Sequence, residues 1–143
     1  MGTGYFDASA LAKRYVQEAG SASVRRQLRT GRTATSRLSA IEVASALARR
    51  EREGAFTAAE RDRGLKRLNA DLAAWILVEL TAELTADAQT LLIRHSLRSG
   101  DAVHLASGLY LQRETGERIA FGVFDDRLAT AARAEGLTLL AFV

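Results

Sequence analysis

A chain of 143 residues with 48% hydrophobic content is sized for one domain with a real core, and its lack of cysteine excludes disulfides, thiolate metal sites and cysteine nucleophiles. With two histidines, His95 and His104, there is no His-rich zinc constellation, and a Ser-His-Asp hydrolase would depend on one of them. The formal net charge of +3 comes almost wholly from arginine, Lys13 and Lys66 being the only lysines, which suits forked contacts to phosphates and bases as well as the coding habits of a GC-rich genome.

The first strand is expected at Thr3 to Phe6, ending at Asp7, with a helix from about Ser9 to Gln17 whose Leu11 and Tyr15 are four apart. A second helix, about Ser21 to Leu28, precedes a Thr-rich strand near Thr33 to Ser36. Ser39 is placed to cap a helix running to about Glu53, with Ile41, Ala44, Leu47 and Ala48 as its apolar stripe. Thr57-Ala-Ala-Glu60 reads as a capping box, starting a helix that runs to about Ala74. Trp75 to Leu80 reads as a buried strand. A helix between Thr81 and Leu97 follows, its start capped by Thr81 or by Thr85. Asp101 to Gln112 reads as a helix, Ile119 to Phe124 as the fourth strand, Asp126 to Glu135 as a helix closed by Gly136, and Leu137 to Phe142 as the last strand. Alternation of short strands with amphipathic helices predicts an α/β protein, a three-layer α/β/α sandwich around a five-stranded parallel sheet. Right-handed crossovers bring the carboxyl ends of such strands to one edge, where ligands bind at the point of strand-order reversal.

No apolar run approaches the roughly 20 residues of a membrane span. The first residues lack the basic and apolar regions of a signal peptide, so a soluble, cytoplasmic protein without membrane association is expected.

Four separated carboxylates carry the chemistry. Asp7 and Asp125 directly follow predicted strands, the position from which a side chain points into the crevice. Asp101 lies in the first turn of its helix, where the dipole favours the ionised form. Glu42, one turn into its own helix, can lean over the same edge. Gathered together, such acids repel one another and raise one another's pKa values unless a divalent cation is bound, and Mg²⁺ or Mn²⁺ held by carboxylates is the usual device for phosphodiester hydrolysis. Ser9 can orient Asp7 or hold a substrate phosphate, and Lys13 and Arg14 are candidate phosphate contacts.

Taken singly, each acid has a plainer explanation. Asp7, Asp101 and Asp125 or Asp126 read as helix N-caps, and Glu42 as a solvated helix residue. His104 reads as a satisfied histidine near the core and His95 as a surface residue. Arg49, Arg50 and Arg52, interleaved with Glu51 and Glu53, read as a solvated, salt-bridged face.

Tyr-Phe-Asp-Ala-Ser-Ala-Leu-Ala-Lys-Arg-Tyr at 5–15, Ser-Ala-Ile-Glu at 39–42, Gly-Asp-Ala-Val-His-Leu-Ala at 100–106 and Phe-Asp-Asp-Arg-Leu-Ala-Thr-Ala-Ala at 124–132 resemble the four signature blocks of PIN domains. More narrowly, they are similar to those of the VapC-type ribonuclease toxins of VapBC toxin-antitoxin modules. The resemblance spans essentially the whole chain, in order, and implies a single PIN-like domain over residues 1–143 with sheet order 3-2-1-4-5. It also implies a Mg²⁺- or Mn²⁺-dependent endoribonuclease whose acidic quartet maps onto Asp7, Glu42, Asp101 and Asp125 and whose hydroxyl residue maps onto Ser9. A homodimer and a cognate antitoxin partner are implied with it. One departure is Val123, where the family often has Thr or Ser two residues before the fourth acid. The alternatives are a catalytically weak RNA-binding or interaction module of the same fold and, further off, a haloacid-dehalogenase-type phosphatase, which wants a second Asp where Ser9 stands.

Overall fold

The computed structural model describes residues 2–142. In chain order these residues form β1 (Thr3–Phe6), α1 (Ala8–Tyr15), α2 (Ser21–Gln27), β2 (Arg32–Ser36), α3 (Ser39–Arg52) and α4 (Ala58–Ala74). The second half follows as β3 (Ile76–Val78), α5 (Ala82–Arg94), α6 (Ser99–Thr115), β4 (Ile119–Gly122), α7 (Asp126–Ala134) and β5 (Thr138–Leu139). All strand pairs are parallel, in the order β3-β2-β1-β4-β5. The expected sandwich and sheet order are therefore present, and strand order reverses between β1 and β4, directly beneath Asp7 and Asp125.

Side chains alternate across a strand, and β1 shows what that does here. Tyr5 enters one core with Ala34, Val78, Leu105, Ile119 and Phe121, under α5, α6 and α7, while Phe6 enters the other with Leu11, Val43 and Leu68, under α1, α3 and α4. A buried sheet must be satisfied along its whole backbone, so the tightest junctions are held by small residues. Gly31 has φ +65° just before β2, and a Cβ there would lie 2.4 Å from the Gly2 carbonyl oxygen. Gly31→Ala is expected to cost about 2 kcal/mol or more, from left-handed strain and the backbone clash together. A urea unfolding midpoint equal to that of the parent would contradict it.

Helix starts follow the sequence closely. Both bonds of the Thr57–Glu60 capping box form, and Thr81 accepts from the Leu84 N–H, which selects Thr81 over Thr85 as the α5 cap. Several expectations need correction. Ser39 does not cap α3. It is the first helical residue, its hydroxyl is buried 2.7 Å from that of Thr35, and the turn is instead held by Ser36 Oγ accepting from the Leu38 N–H. The α3 stripe is rotated, with Val43 and Leu47 inside and Ile41 69% exposed. The third strand is a short edge strand, with Ile76 and Leu80 exposed, because no strand lies beyond it. In the last segment only Thr138–Leu139 pair as strand, though the Leu140 N–H still reaches the Phe121 carbonyl. His95 is partly buried and pairs through Nε2 with Glu135, 2.6 Å away. Among the described residues no helix is long and apolar enough to cross a membrane.

Candidate active site

β1 runs into Asp7, whose backbone N–H bonds to the Gly122 carbonyl on β4 and whose Oδ1 accepts from the Ala10 N–H, 2.9 Å away. Asp7 is thus the N-cap of α1, as the plainer explanation had it, yet its second oxygen receives no hydrogen bond among the described residues and the residue is only 3% exposed. Burial raises its pKa to about 6, against the lowering effects of His104 and of the Ala10 hydrogen bond, and with further raising by Asp101 and Glu42. Asp7, Glu42, Asp101 and His104 therefore share one electrostatic neighbourhood.

Glu42 and Asp101 arrive there in the first turns of α3 and α6, helices packed on opposite faces of the sheet, where the positive helix ends favour carboxylates. The Glu42 carboxylate is closely confined. Its Oε1 lies 2.7 Å from Nε2 of His104, and its Oε2 occupies space that a Cβ on Gly100 would approach to 2.9 Å. Gly100→Ala is expected to displace Glu42 and reduce turnover about tenfold with little change in melting temperature, since α6 itself gains helix propensity. Unchanged turnover would show that the position of Glu42 is immaterial. Among the described residues, the Asp101 carboxylate is held by a 3.3 Å contact with the exposed Arg98.

Asp125 follows β4 and caps α7 by accepting from the Leu128 N–H, 3.0 Å away. It is half-buried. Asp126, by contrast, is the first helical residue and exposed. Val123 turns into the core beside β4 and is buried. Among the described residues no three acidic or imidazole groups stand close enough together to form a ready metal cage.

The two candidate phosphate contacts are committed elsewhere. Lys13 bonds to Glu18 and the Ala19 carbonyl and lies over the Phe124 ring, 4.6 Å from its centre. Arg14 grips Asp71 on α4 through Nε and Nη2, and Tyr15 donates to the same carboxylate, a tie between two helices. Ser9 is exposed and lines a cleft of about 240 Å³ together with Glu42, Glu18, Arg49 and Arg50. Arg50 pairs with Glu18, whereas Arg49 has no ion-pair partner among the described residues and extends the cleft with positive charge. Arg49 had read as part of a solvated face. Its spacing of seven from Glu42, two helical turns along the same side of α3, was the available signal.

A PIN domain family model matches residues 4–134. Ribonuclease VapC45 and Ribonuclease VapC49, from two strains of Mycobacterium tuberculosis, are each 41% identical over 134 residues, covering 92% of this chain and 90% of the relative. Among solved structures, Mycobacterium tuberculosis VapC20, described as a sarcin-ricin loop cleaving toxin, superposes with a TM-score of 0.69 at 20% identity, covering 95% of this chain and 97% of its own. A toxin-antitoxin complex from Klebsiella pneumoniae gives 0.65 at 15% identity, over 88% and 90%. The two structural likenesses speak to the fold.

Proposed function

The chain belongs to the PIN domain family, and from that premise we propose that Asp7, Glu42, Asp101 and Asp125 are the acids with which it hydrolyses RNA phosphodiester bonds, aided by Mg²⁺ or Mn²⁺. Its named relatives are VapC ribonucleases, and this chain is an endoribonuclease of that toxin type. Family membership removes the phosphatase alternative.

The observation that carries the site assignment is Asp7: a buried carboxylate at the switch point, with one oxygen unbonded among the described residues and two further acids pressing on it. Hard oxygen donors in a negative pocket fit Mg²⁺ or Mn²⁺, and Mg²⁺ keeps several waters and needs only one or two carboxylates directly, so a ready three-residue cage is not required. Asp7, Glu42, Asp101 and Asp125 would hold the ion. When bound, such an ion supplies Lewis-acid stabilisation of charge on the phosphate. The residues do the remainder. The Ser9 hydroxyl and the first N–H groups of α1 offer donors to a phosphate oxygen, Arg49 draws the RNA backbone along the cleft, and the burial of Asp7 excludes bulk water from one side of the reacting group.

The same reading includes a protein antitoxin, a homodimer and a cytoplasmic setting where RNA is at hand. Exposed Ile41 on α3 and Ile93 on α5 are apolar side chains that partners would cover. A second reading, an RNA-binding or interaction module without catalysis, draws on the lack of a ready metal cage among the described residues.

Incubation with structured and unstructured RNAs in Mg²⁺, Mn²⁺ or EDTA, alongside Asp7→Asn, separates the two. Cleavage that stops with either chelation or the substitution supports the nuclease. Cleavage that survives both rejects the metal mechanism, and binding without cleavage selects the module. Growth arrest on expression, relieved by a co-expressed neighbouring reading frame, identifies the toxin pairing.

A further inference from the structure

A buried hydrogen-bonded chain runs from the core to one of the proposed metal ligands. Tyr5 is fully buried, its ring stacked on Phe121 with centroids 5.3 Å apart and planes 6° from parallel. Its hydroxyl lies 2.8 Å from Nδ1 of His104, and Nε2 of His104 lies 2.7 Å from Oε1 of Glu42. His104 is 2% exposed, so no bulk water competes for either ring nitrogen.

The direction of these bonds follows from what each group can do. An ionised carboxylate only accepts, so Nε2 must carry a proton. In a neutral ring Nδ1 is then a bare acceptor, and among the described residues the donor aimed at it is the Tyr5 phenol, whose burial keeps it protonated. The nearby hydroxyls do not compete as donors. Ser107 gives its proton to the Val103 carbonyl and Thr35 to the Phe6 carbonyl, both at 2.7 Å. With Oε1 tied to the ring, Oε2 rests above Gly100 at the mouth of the site, and the side chain as a whole keeps 36% of its surface exposed. One oxygen is anchored and the other is presented.

We infer that Tyr5 and His104 are positioning residues, the phenol locking the imidazole in its Nε2–H tautomer so that the ring holds the Glu42 carboxylate in place for a divalent cation. This rests on the reading of Glu42 as a ligand. It extends that reading to two core residues with no access to substrate. An outer-shell partner of this kind is commonly worth 10- to 100-fold in metal affinity.

Two measurements test it. With only two histidines in the chain, long-range ¹H–¹⁵N correlation in metal-free protein resolves the tautomer of each ring. Mn²⁺ titration at fixed pH gives affinity for the parent and for Tyr5→Phe, His104→Gln, His104→Leu and Glu42→Gln, with circular dichroism reporting folding. The expected result is a pure Nε2–H pattern for His104 in the parent and a mixture of tautomers in Tyr5→Phe. Mn²⁺ affinity should fall about tenfold in Tyr5→Phe and at least as much in His104→Leu, toward the loss in Glu42→Gln. His104→Gln, whose amide nitrogen can take the place of Nε2 and donate to Glu42, should stay within about threefold of the parent. If His104→Leu does not fold, Tyr5→Phe, which removes a single oxygen, carries the test. An Nδ1–H or a doubly protonated ring in the parent, or parental Mn²⁺ affinity in both Tyr5→Phe and His104→Leu, overturns the inference. A parent protein that binds no Mn²⁺ at all overturns the ligand reading and the inference with it, an outcome distinct from tight binding that ignores the variants.

Discussion

Asp7→Asn is expected to make the metal-free protein more stable at neutral pH while abolishing RNA cleavage. The Asp7 carboxyl titrates near 6 in the folded chain against an ordinary value of 3.8, chiefly because it is buried. The folded state therefore holds its proton more tightly than the unfolded state. Stability is greatest where both states are protonated, below about pH 4, and is lost as pH rises through about 4 to 6. Above that window the ionised, buried carboxylate costs roughly 3 kcal/mol, from a shift of about two pKa units at 1.36 kcal/mol each. Asparagine keeps an oxygen that can accept from the Ala10 N–H and carries no charge to desolvate. In EDTA at pH 7 the variant should melt about 5–10 °C above the parent, and the gap should close toward pH 4. Saturating Mg²⁺ or Mn²⁺ should also close it by stabilising only the parent. A variant that melts lower than the parent in EDTA at pH 7 would refute the burial argument.

Phe121→Ala is expected to cost about 3–5 kcal/mol and roughly 10 °C or more of melting temperature. Phe121 is fully buried on β4, faces Tyr5 across the β1–β4 pairing, and packs so closely on α6 that a Cβ on Gly108 would lie 3.0 Å from its ring. No neighbour can collapse into its place without moving the sheet or α6. Cleavage per folded molecule should fall as well, because the Tyr5 ring loses the surface that orients its hydroxyl. Urea unfolding of Phe121→Ala beside Phe121→Leu checks the packing argument, which fails if the two variants unfold at the same midpoint.

Much of this arrangement was legible because local chemistry decided it. The Thr57–Glu60 capping box, the strand ending at Asp7 and the α/β alternation each follow from neighbours in sequence. What escaped was set by distant partners. Nothing near Ile41 says that α3 packs through Val43 and Leu47 instead, since that depends on how α3 lies against α1 and α4. The segments from Trp75 and from Leu137 are apolar enough for longer strands, but a strand's length at a sheet edge is fixed by the single partner it pairs with. His104 was legible as a satisfied core histidine, yet its two partners lie 99 and 62 residues away, and no spacing rule reaches that far. The acids are proposed from their positions after strands and in first turns. Their exact approach to one another depends on side-chain geometry that residue order does not encode.

The double duty of Asp7 and Asp125 bears on how mutants of this protein are to be interpreted. Each accepts through one oxygen a hydrogen bond from a backbone N–H at the start of a helix, α1 or α7, so trimming either side chain to a methyl group unties that helix start, at about 1 kcal/mol, in the same stroke that deletes a charge. A conventional truncation scan would fold this architectural loss into the apparent catalytic share of both residues. Amide replacements keep the tether and remove only the charge, and are the cleaner instrument for dissecting this enzyme.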